Sequence, residues 1–233
     1  MKASPVLVLS VSRIPLLTRE ELADRTLTLT REFSLHDNGK HIADLAPKSD
    51  TEAALRVATA RAWALASLPP ILRQLMLDPA SVTLSRDGEG RPYLVGRPVD
   101  FNLSHSAAHA AVAAVPSPYR VGVDVEEPIP AARADSLVRR YATEGERAMM
   151  ADPTVDFTLI WTVREAIAKY TGEGNPTARD AATPPCGVRI RSGILPDTGA
   201  RLTVCCPAEI TAICPTPDSL PVAWDFEFVA TQR

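Results

Sequence analysis

Two carboxylates share one face of the segment Val121-Gly122-Val123-Asp124-Val125-Glu126. In a β-strand, side chains alternate between faces, so the three valines share one side and Gly122, Asp124 and Glu126 the other. The two acids then stand about 7 Å apart along the strand, beside the open space left by a glycine. Like charges that close repel unless a proton or a cation lies between them. Magnesium is bound by one or two carboxylates together with waters and substrate phosphates, so the pattern has the chemistry of a metal site. Taken alone, it suits an edge strand with a solvated acidic face better.

A second group lies on a helix. Ile160, Val163, Ile167 and Tyr170 follow one another at spacings of 3, 4 and 3, which makes a core stripe. Glu165 and Lys169, four apart, are neighbours on another face. On their own they read as a surface pair worth a few tenths of a kcal/mol. Beside the acidic strand, Glu165 would face the same cation and Lys169 the phosphates of a ligand. A third group is Gly90-Arg91-Pro92, followed by Phe101-Asn102-Leu103-Ser104-His105-Ser106. Here His105 shares a face with Phe101 and Leu103, so a polar Ser-His-Ser cluster ends an apolar strand, suited to an anion or a purine. Arg91 adds a charged donor for phosphate. A serine hydrolase is not supported, because neither a G-x-S-x-G turn nor an orienting acid accompanies Ser104 and His105.

The elements that must position these residues come from periodicity and punctuation. Ser49 to Leu77 reads as helix interrupted at Leu68-Pro69-Pro70; Val82–Leu84 and Tyr93–Val95 read as strands around the turn 87–90. Phe101–Leu103, Ala107–Val115 and Val121–Glu126 read as strands, Ala131–Met150 as helical, and Phe157–Tyr170 as a strong helix. Four further strands are expected at Gly187–Ile190, Arg201–Cys205, Glu209–Ile213 and Val222–Val229. Helices mixed with mainly antiparallel strands predict an α+β fold, with Pro116-Ser117-Pro118 dividing it into residues 1–117 and 118–233.

Bulk composition excludes some functions. With 25 basic and 28 acidic side chains the formal charge is −3, which disfavours binding nucleic acid through its phosphates. No apolar run reaches the roughly 20 residues that span a bilayer. Val6 to Leu9 is read as a first strand and not a signal sequence, since Pro5, Ser10 and Ser12 interrupt it. Cys186, Cys205, Cys206 and Cys214 form no C-x-x-C pair and lie far from the four histidines. They are read as reduced thiols of a cytoplasmic protein.

In order and spacing, these blocks resemble Sfp-type 4′-phosphopantetheinyl transferases. Gly122-Val123-Asp124-Val125-Glu126 is similar to the family's G-[IV]-D-x-E, and Trp161-Thr162-Val163-Arg164-Glu165-Ala166-Ile167-Ala168-Lys169 to its W-[ST]-x-K-E-[AS]-x-x-K. The resemblance covers roughly Arg56 to Gly174. It implies that Asp124, Glu126 and Glu165 hold magnesium, and that Lys169 and Arg164 contact pyrophosphate. It implies further that Arg91, Ser104 and His105 bind the 3′-phosphate and adenosine end of coenzyme A, with Arg56, five residues before Arg61, another phosphate contact. Glu146 stands where the family has a glutamate in its R-F-F-x-x-x-E stretch, with no role assigned. Arg91 and Arg164 replace commoner lysines, and Glu173 in Thr171–Asn175 departs from a loop that often carries lysine.

The resemblance also implies two similar α+β halves in a pseudo-twofold arrangement, with the active site in the cleft between them. The activity it implies is transfer of 4′-phosphopantetheine from coenzyme A to a serine of an apo acyl or peptidyl carrier protein, with release of 3′,5′-ADP. Glu165 would be the base and Lys169 a second catalytic group in a monomeric, cytoplasmic, magnesium-dependent enzyme. Two readings compete: a magnesium-dependent nucleotide pyrophosphatase, which needs no acceptor, and a coenzyme A- or carrier-binding module without turnover. The segment 131–150 carries four arginines against three acids, which suits an acidic carrier no better than it suits a solvated helix face.

Overall fold

A computed structural model describes residues 5–15, 17–32, 47–49, 51–88, 91–173 and 175–230. Gly90 of the Gly90-Arg91-Pro92 block lies outside them. The chain opens on β1 (Val6–Arg13) and then α1 (Arg19–Glu32), which the sequence reading does not anticipate. Helix α1 is mostly polar, with only Leu22 and Leu29 among its hydrophobic residues fully buried. Its start is nevertheless well defined. Thr18 accepts from the Glu21 amide at 3.2 Å, and Glu21 accepts from the Thr18 amide at 2.7 Å, a reciprocal cap.

Helix α2 (Glu52–Ala66) is capped by Thr51, and α3 (Leu68–Gln74) follows after one residue. The expected break falls there because Pro69 and Pro70 fit only the first turn of a helix. Strands β2 (Leu84–Arg86) and β3 (Pro92–Leu94) form a small ribbon, shifted by one or two residues from their expected positions. Next come β4 (Val99–His105), β5 (His109–Pro116) and β6 (Gly122–Glu126). Helices α4 (Ala131–Tyr141), α5 (Glu144–Met149) and α6 (Phe157–Thr171) follow. The chain then runs through β7 (Val188–Ile194), β8 (Arg201–Pro207), β9 (Ala212–Pro215) and β10 (Ala223–Val229).

The mixture is α+β. One sheet has the order β4-β5-β1-β9 and the other β10-β7-β8-β6. In each, a strand followed by helix returns to a hairpin whose second strand pairs antiparallel with the first: β1 with β5, β6 with β8. Strand β9, expected a few residues earlier, pairs parallel with β1. A segment beyond residue 118 therefore supplies an edge of the first sheet, across the expected division at 117/118.

Three apolar clusters explain the layering. Val8, Val112 and Ala114 face α1–α3 on one side of the first sheet. Leu7, Leu9, Ala111 and Ala113 on its other side meet Val121, Val123, Val125, Leu202 and Val204 of the second sheet. Ile190 and Cys205, on the far side of the second sheet, pack on Ile160, Val163 and Ile167 of α6. Helix, sheet, sheet and helix thus stack in that order. Strands β1 and β5 are covered on both faces, which is why β5 reads as an unbroken apolar run.

The two sheets also meet edge to edge. The Val121 amide donates to Asp100 at 2.8 Å and the Val125 amide to Ser104 Oγ at 3.3 Å. Strands β4 and β6 therefore lie along a common seam.

Candidate active site

Close approach of α6 to β6 builds the site. A Cβ at Gly122 would stand 2.0 Å from the Ala166 carbonyl and 2.7 Å from the Tyr170 amide. Only glycine lets the helix lie this near the strand. Two residues on, Asp124 faces that helix and is 5% exposed. The Val121, Val123 and Val125 side chains point into the inter-sheet core, as strand alternation requires. Helix α6 is itself fixed at both ends. Asp156 caps its start, accepting from the Leu159 amide, and Gly172 ends it in the left-handed region at φ 80°.

Across the seam, three groups close a triangle. Ser104 Oγ donates to Asp124 Oδ1 at 2.8 Å. Lys169 Nζ donates to the same oxygen at 2.7 Å and to Ser104 Oγ at 2.9 Å. Glu126 and Glu165 stand around it, each half-buried. Burial, then repulsion by Asp124 and Glu127, raises the Glu126 carboxyl to about 7, against a pull downward from Arg133. Burial and then Asp124 raise Glu165, with Lys169 opposing. Burial, then the nearby Lys169 and Arg61 charges, lower His105 and favour the neutral imidazole. The cluster thus carries more negative charge than its surroundings neutralise, which is the electrostatic condition for a bound cation. Among the described residues, no group of three or more His, Cys, Asp or Glu side chains stands in the geometry of a metal cage. The donor types of Asp124, Glu126 and Glu165 fit magnesium, and their mutual repulsion gives it a reason to bind.

A cavity of about 460 Å³ opens beside the triangle, lined by Arg91, Asn102, Arg120, Glu165 and Lys169 among others. Arg91 is at the wall, but its guanidinium is already engaged. It forks onto Asp100 at 2.9 and 3.1 Å and reaches the Val121 and Lys169 carbonyls. It braces β4, β6 and α6 against one another. Arg56 lies elsewhere: it pairs with Glu52 at 2.6 Å on the surface and lines a separate hollow of about 170 Å³ that also contains Ala107.

Arg164 corrects the sequence reading, which made it a pyrophosphate contact. It is 0% exposed. Its Nε donates to Glu146 Oε1 at 2.6 Å and its Nη2 to the Tyr141 carbonyl at 2.7 Å and to Glu146 Oε2. Glu146, also 0% exposed, accepts in addition from the Thr143 amide at 2.9 Å and the Ala181 amide at 2.8 Å. The physical reason is helix geometry: one residue turns the side chain by about 100°, which takes Arg164 off the Glu165 face and under α5. It joins α4, α5 and the segment at residue 181 to α6 and does not line the cavity.

Four charged groups near the site were not among the expected site residues. Arg61 of α2 stands close enough to lower His105, and Arg133 of α4 close enough to act on Glu126. Arg120 lines the cavity and donates to the Thr171 carbonyl at 3.4 Å. Glu127 accepts from the turn after β4. Arg61 was legible as the second arginine on a helix already carrying Arg56; the other three depend on tertiary placement.

Residues 120–191 match the family model of the 4′-phosphopantetheinyl transferase superfamily. The matched stretch runs from the start of β6 through α6 into β7, and so contains Asp124, Glu126, Glu165 and Lys169 but not Ser104 or His105. It covers under a third of the chain. No curated protein matches the chain. The match supports a transferase of this superfamily and phosphopantetheine as the group transferred.

Proposed function

We propose that the chain is a holo-carrier-protein synthase of the Sfp type. It would move 4′-phosphopantetheine from coenzyme A to a serine of an apo acyl or peptidyl carrier protein. The observation that carries this reading is the Asp124–Ser104–Lys169 triangle, flanked by two half-buried glutamates, Glu126 and Glu165, the second of which lines the cavity. Three strands of each sheet share an order, β4-β5-β1 and β7-β8-β6, while β9 and β10 add at opposite edges; the common core supports a pseudo-twofold pair of α+β halves with the cleft along the β4/β6 seam.

Asp124, Glu126 and Glu165 would hold magnesium, which when bound supplies positive charge to the pyrophosphate. Lys169 reaches the same place from α6 and exchanges its contact with Asp124 for ligand phosphate oxygens. His105, with Arg61 near it, faces the 3′-phosphate. The carrier serine oxygen forms a bond to the β-phosphorus, and the bond from that phosphorus to the ADP side breaks. The electron pair leaves with 3′,5′-ADP, and the serine proton passes to Glu165, whose carboxyl is raised above its ordinary value by burial and then by the Asp124 charge. Positioning and charge do most of the work in such transfers. Arg133 of α4, which acts on Glu126, suits an acidic carrier. The enzyme would be monomeric and cytoplasmic; four free cysteines accord with a reducing compartment.

The test is incubation with coenzyme A, magnesium and an apo carrier, followed by the intact mass of the carrier. A mass gain equal to one phosphopantetheine is expected. Cleavage of coenzyme A without any carrier would make the protein a pyrophosphatase. Binding without either reaction would make it a module.

A further inference from the structure

We propose that Glu127 is a positioning residue that clasps the turn after β4 and thereby sets where His105 stands relative to the Asp124 and Glu126 carboxylates. The proposal rests on the transferase reading above. Glu127 follows β6 in the second half, yet every hydrogen bond its carboxylate makes goes to residues 106–109 of the first. Ser106 Oγ donates to Oε1 at 2.7 Å, the Ala108 amide to Oε1 at 3.1 Å, and the Ala107 amide to Oε2 at 3.1 Å. His109 Nδ1 stands 3.2 Å from Oε1.

A carboxylate accepts only, so His109 presents Nδ1–H to Glu127 and its other ring nitrogen, Nε2, to the turn between β7 and β8. Thr198 Oγ1, in the turn between β7 and β8, lies 3.4 Å from that Nε2. One carboxylate and one imidazole with no exposed surface therefore join three segments: the β4–β5 turn, the end of β6 and the β7–β8 turn. The β4–β5 turn is otherwise held within the first sheet, by the Ser106 amide on the His109 carbonyl at 2.8 Å, the His109 amide on Ser106 Oγ at 3.1 Å and the Ile14 amide on the Ala108 carbonyl at 2.8 Å.

The turn has the site on both sides. His105 precedes it at the end of β4, and Ala107 within it lines the hollow that contains Arg56. On the other side of the clasp, Glu126 is the immediate neighbour of Glu127. A groove that binds an anion with one half and its counter-charge with the other works only if the two are held at a fixed spacing, because misplacement costs affinity for the whole ligand. At this end of the seam Glu127 adds its bonds to those that Ser104 makes with Asp124 and the Val125 amide. The Glu127 side chain is 32% exposed, so water can replace its bonds and the fold survives its loss.

Glu127→Ala and Glu127→Gln in the full chain test this by calorimetry with coenzyme A and by steady-state kinetics. The alanine variant should bind coenzyme A about tenfold more weakly, with KM raised alike and kcat within about twofold, the size expected for lost hydrogen bonds to a charged group. Glutamine keeps one acceptor oxygen for Ser106 and Ala108, so it should recover most of the affinity. Ile190→Val, a core change in the second half, should lower Tm without moving affinity. Unchanged affinity in Glu127→Ala, or a glutamine variant no better than alanine, overturns the proposal. If the parent binds coenzyme A without transferring, the transferase reading falls and the clasp is still judged on the affinities. A parent that binds no coenzyme A overturns both.

Discussion

Helix α6 carries two charge clusters one residue apart, and they differ in balance. Arg164 meets Glu146 in a fully enclosed pair whose carboxylate also accepts two backbone amides. Glu165, next in sequence, joins Asp124 and Glu126 in a half-open group whose one hydrogen-bonded cation is Lys169. The first cluster is locally neutral and closed. The second is short of positive charge and opens on a cavity. Burial of a charge does not by itself mark a functional site; an imbalance left facing a cavity does. Burial first, and then that imbalance, raises Glu126 and Glu165.

Breaking the closed cluster should have the largest effect. Arg164→Ala leaves the Glu146 carboxylate buried without its cation, a change that costs about 3–5 kcal/mol. Chemical denaturation should show this loss together with loss of α4 and α5 packing, and whatever chain remains folded should keep its affinity for coenzyme A. Adding Glu146→Leu should restore only part, because the Thr143 and Ala181 amides then lose their acceptor. If Arg164→Ala is as stable as the parent but binds coenzyme A poorly, Arg164 belongs to the site after all.

Removing a member of the open cluster should do the reverse. Asp124→Asn should lower transfer by about a hundredfold or more, the scale of losing one charge-stabilising group. Stability should hardly change, because Lys169 remains hydrated, its side chain being 26% exposed. Near-parental turnover at limiting magnesium would mean that the two clusters do not divide function from structure as described.

A smaller difference separates Ser104 from His105. Ser104 Oγ is engaged by Asp124, Lys169 and the Val125 amide, at the acidic end of the site. Ser104→Ala should weaken coenzyme A and dephospho-coenzyme A alike, by about threefold to tenfold. His105→Ala should weaken coenzyme A more than the dephospho form. Calorimetry with the four combinations separates the residues that the sequence grouped together.

What the sequence disclosed follows from local periodicity. Alternation put Asp124 and Glu126 on one face of β6 and the valines on the other, and helical spacing put Glu165 and Lys169 together. The pairing of Arg164 with Glu146 was not legible, because a spacing of one gives a direction on the helix and says nothing of what packs there. Thr143-x-x-Glu146 was a readable capping signature, and it would have assigned one of the four hydrogen bonds that the Glu146 carboxylate accepts. Helix α1 escaped notice because two buried leucines make a weak stripe. Strand β9 was placed early because Ile210 is apolar but belongs to the inter-sheet core. Glu127 carries no pattern at all, since its partners are hydroxyl, imidazole and backbone groups of another half.

Arg56 should show the smallest effect and is the finest test of the contrast between closed and open charge. Its ion pair with Glu52 is an i,i+4 contact on an exposed helix face, with side chains 61% and 77% exposed. Such pairs contribute about 0.3–0.5 kcal/mol and are screened by salt, so Arg56→Ala should barely move Tm. Its effect on ligand depends on whether the hollow it shares with Ala107 is continuous with the site in the bound state. Arg61, which acts on His105, is the nearer cation. If the 3′-phosphate is held from α2, Arg61→Ala should weaken coenzyme A several-fold more than Arg56→Ala, and neither should affect dephospho-coenzyme A. Equal losses for the two arginines would bring Arg56 into the phosphate group. An Arg56 loss that persists with dephospho-coenzyme A would point instead to the turn beside it, and so to the same spacing that Glu127 holds from the other half.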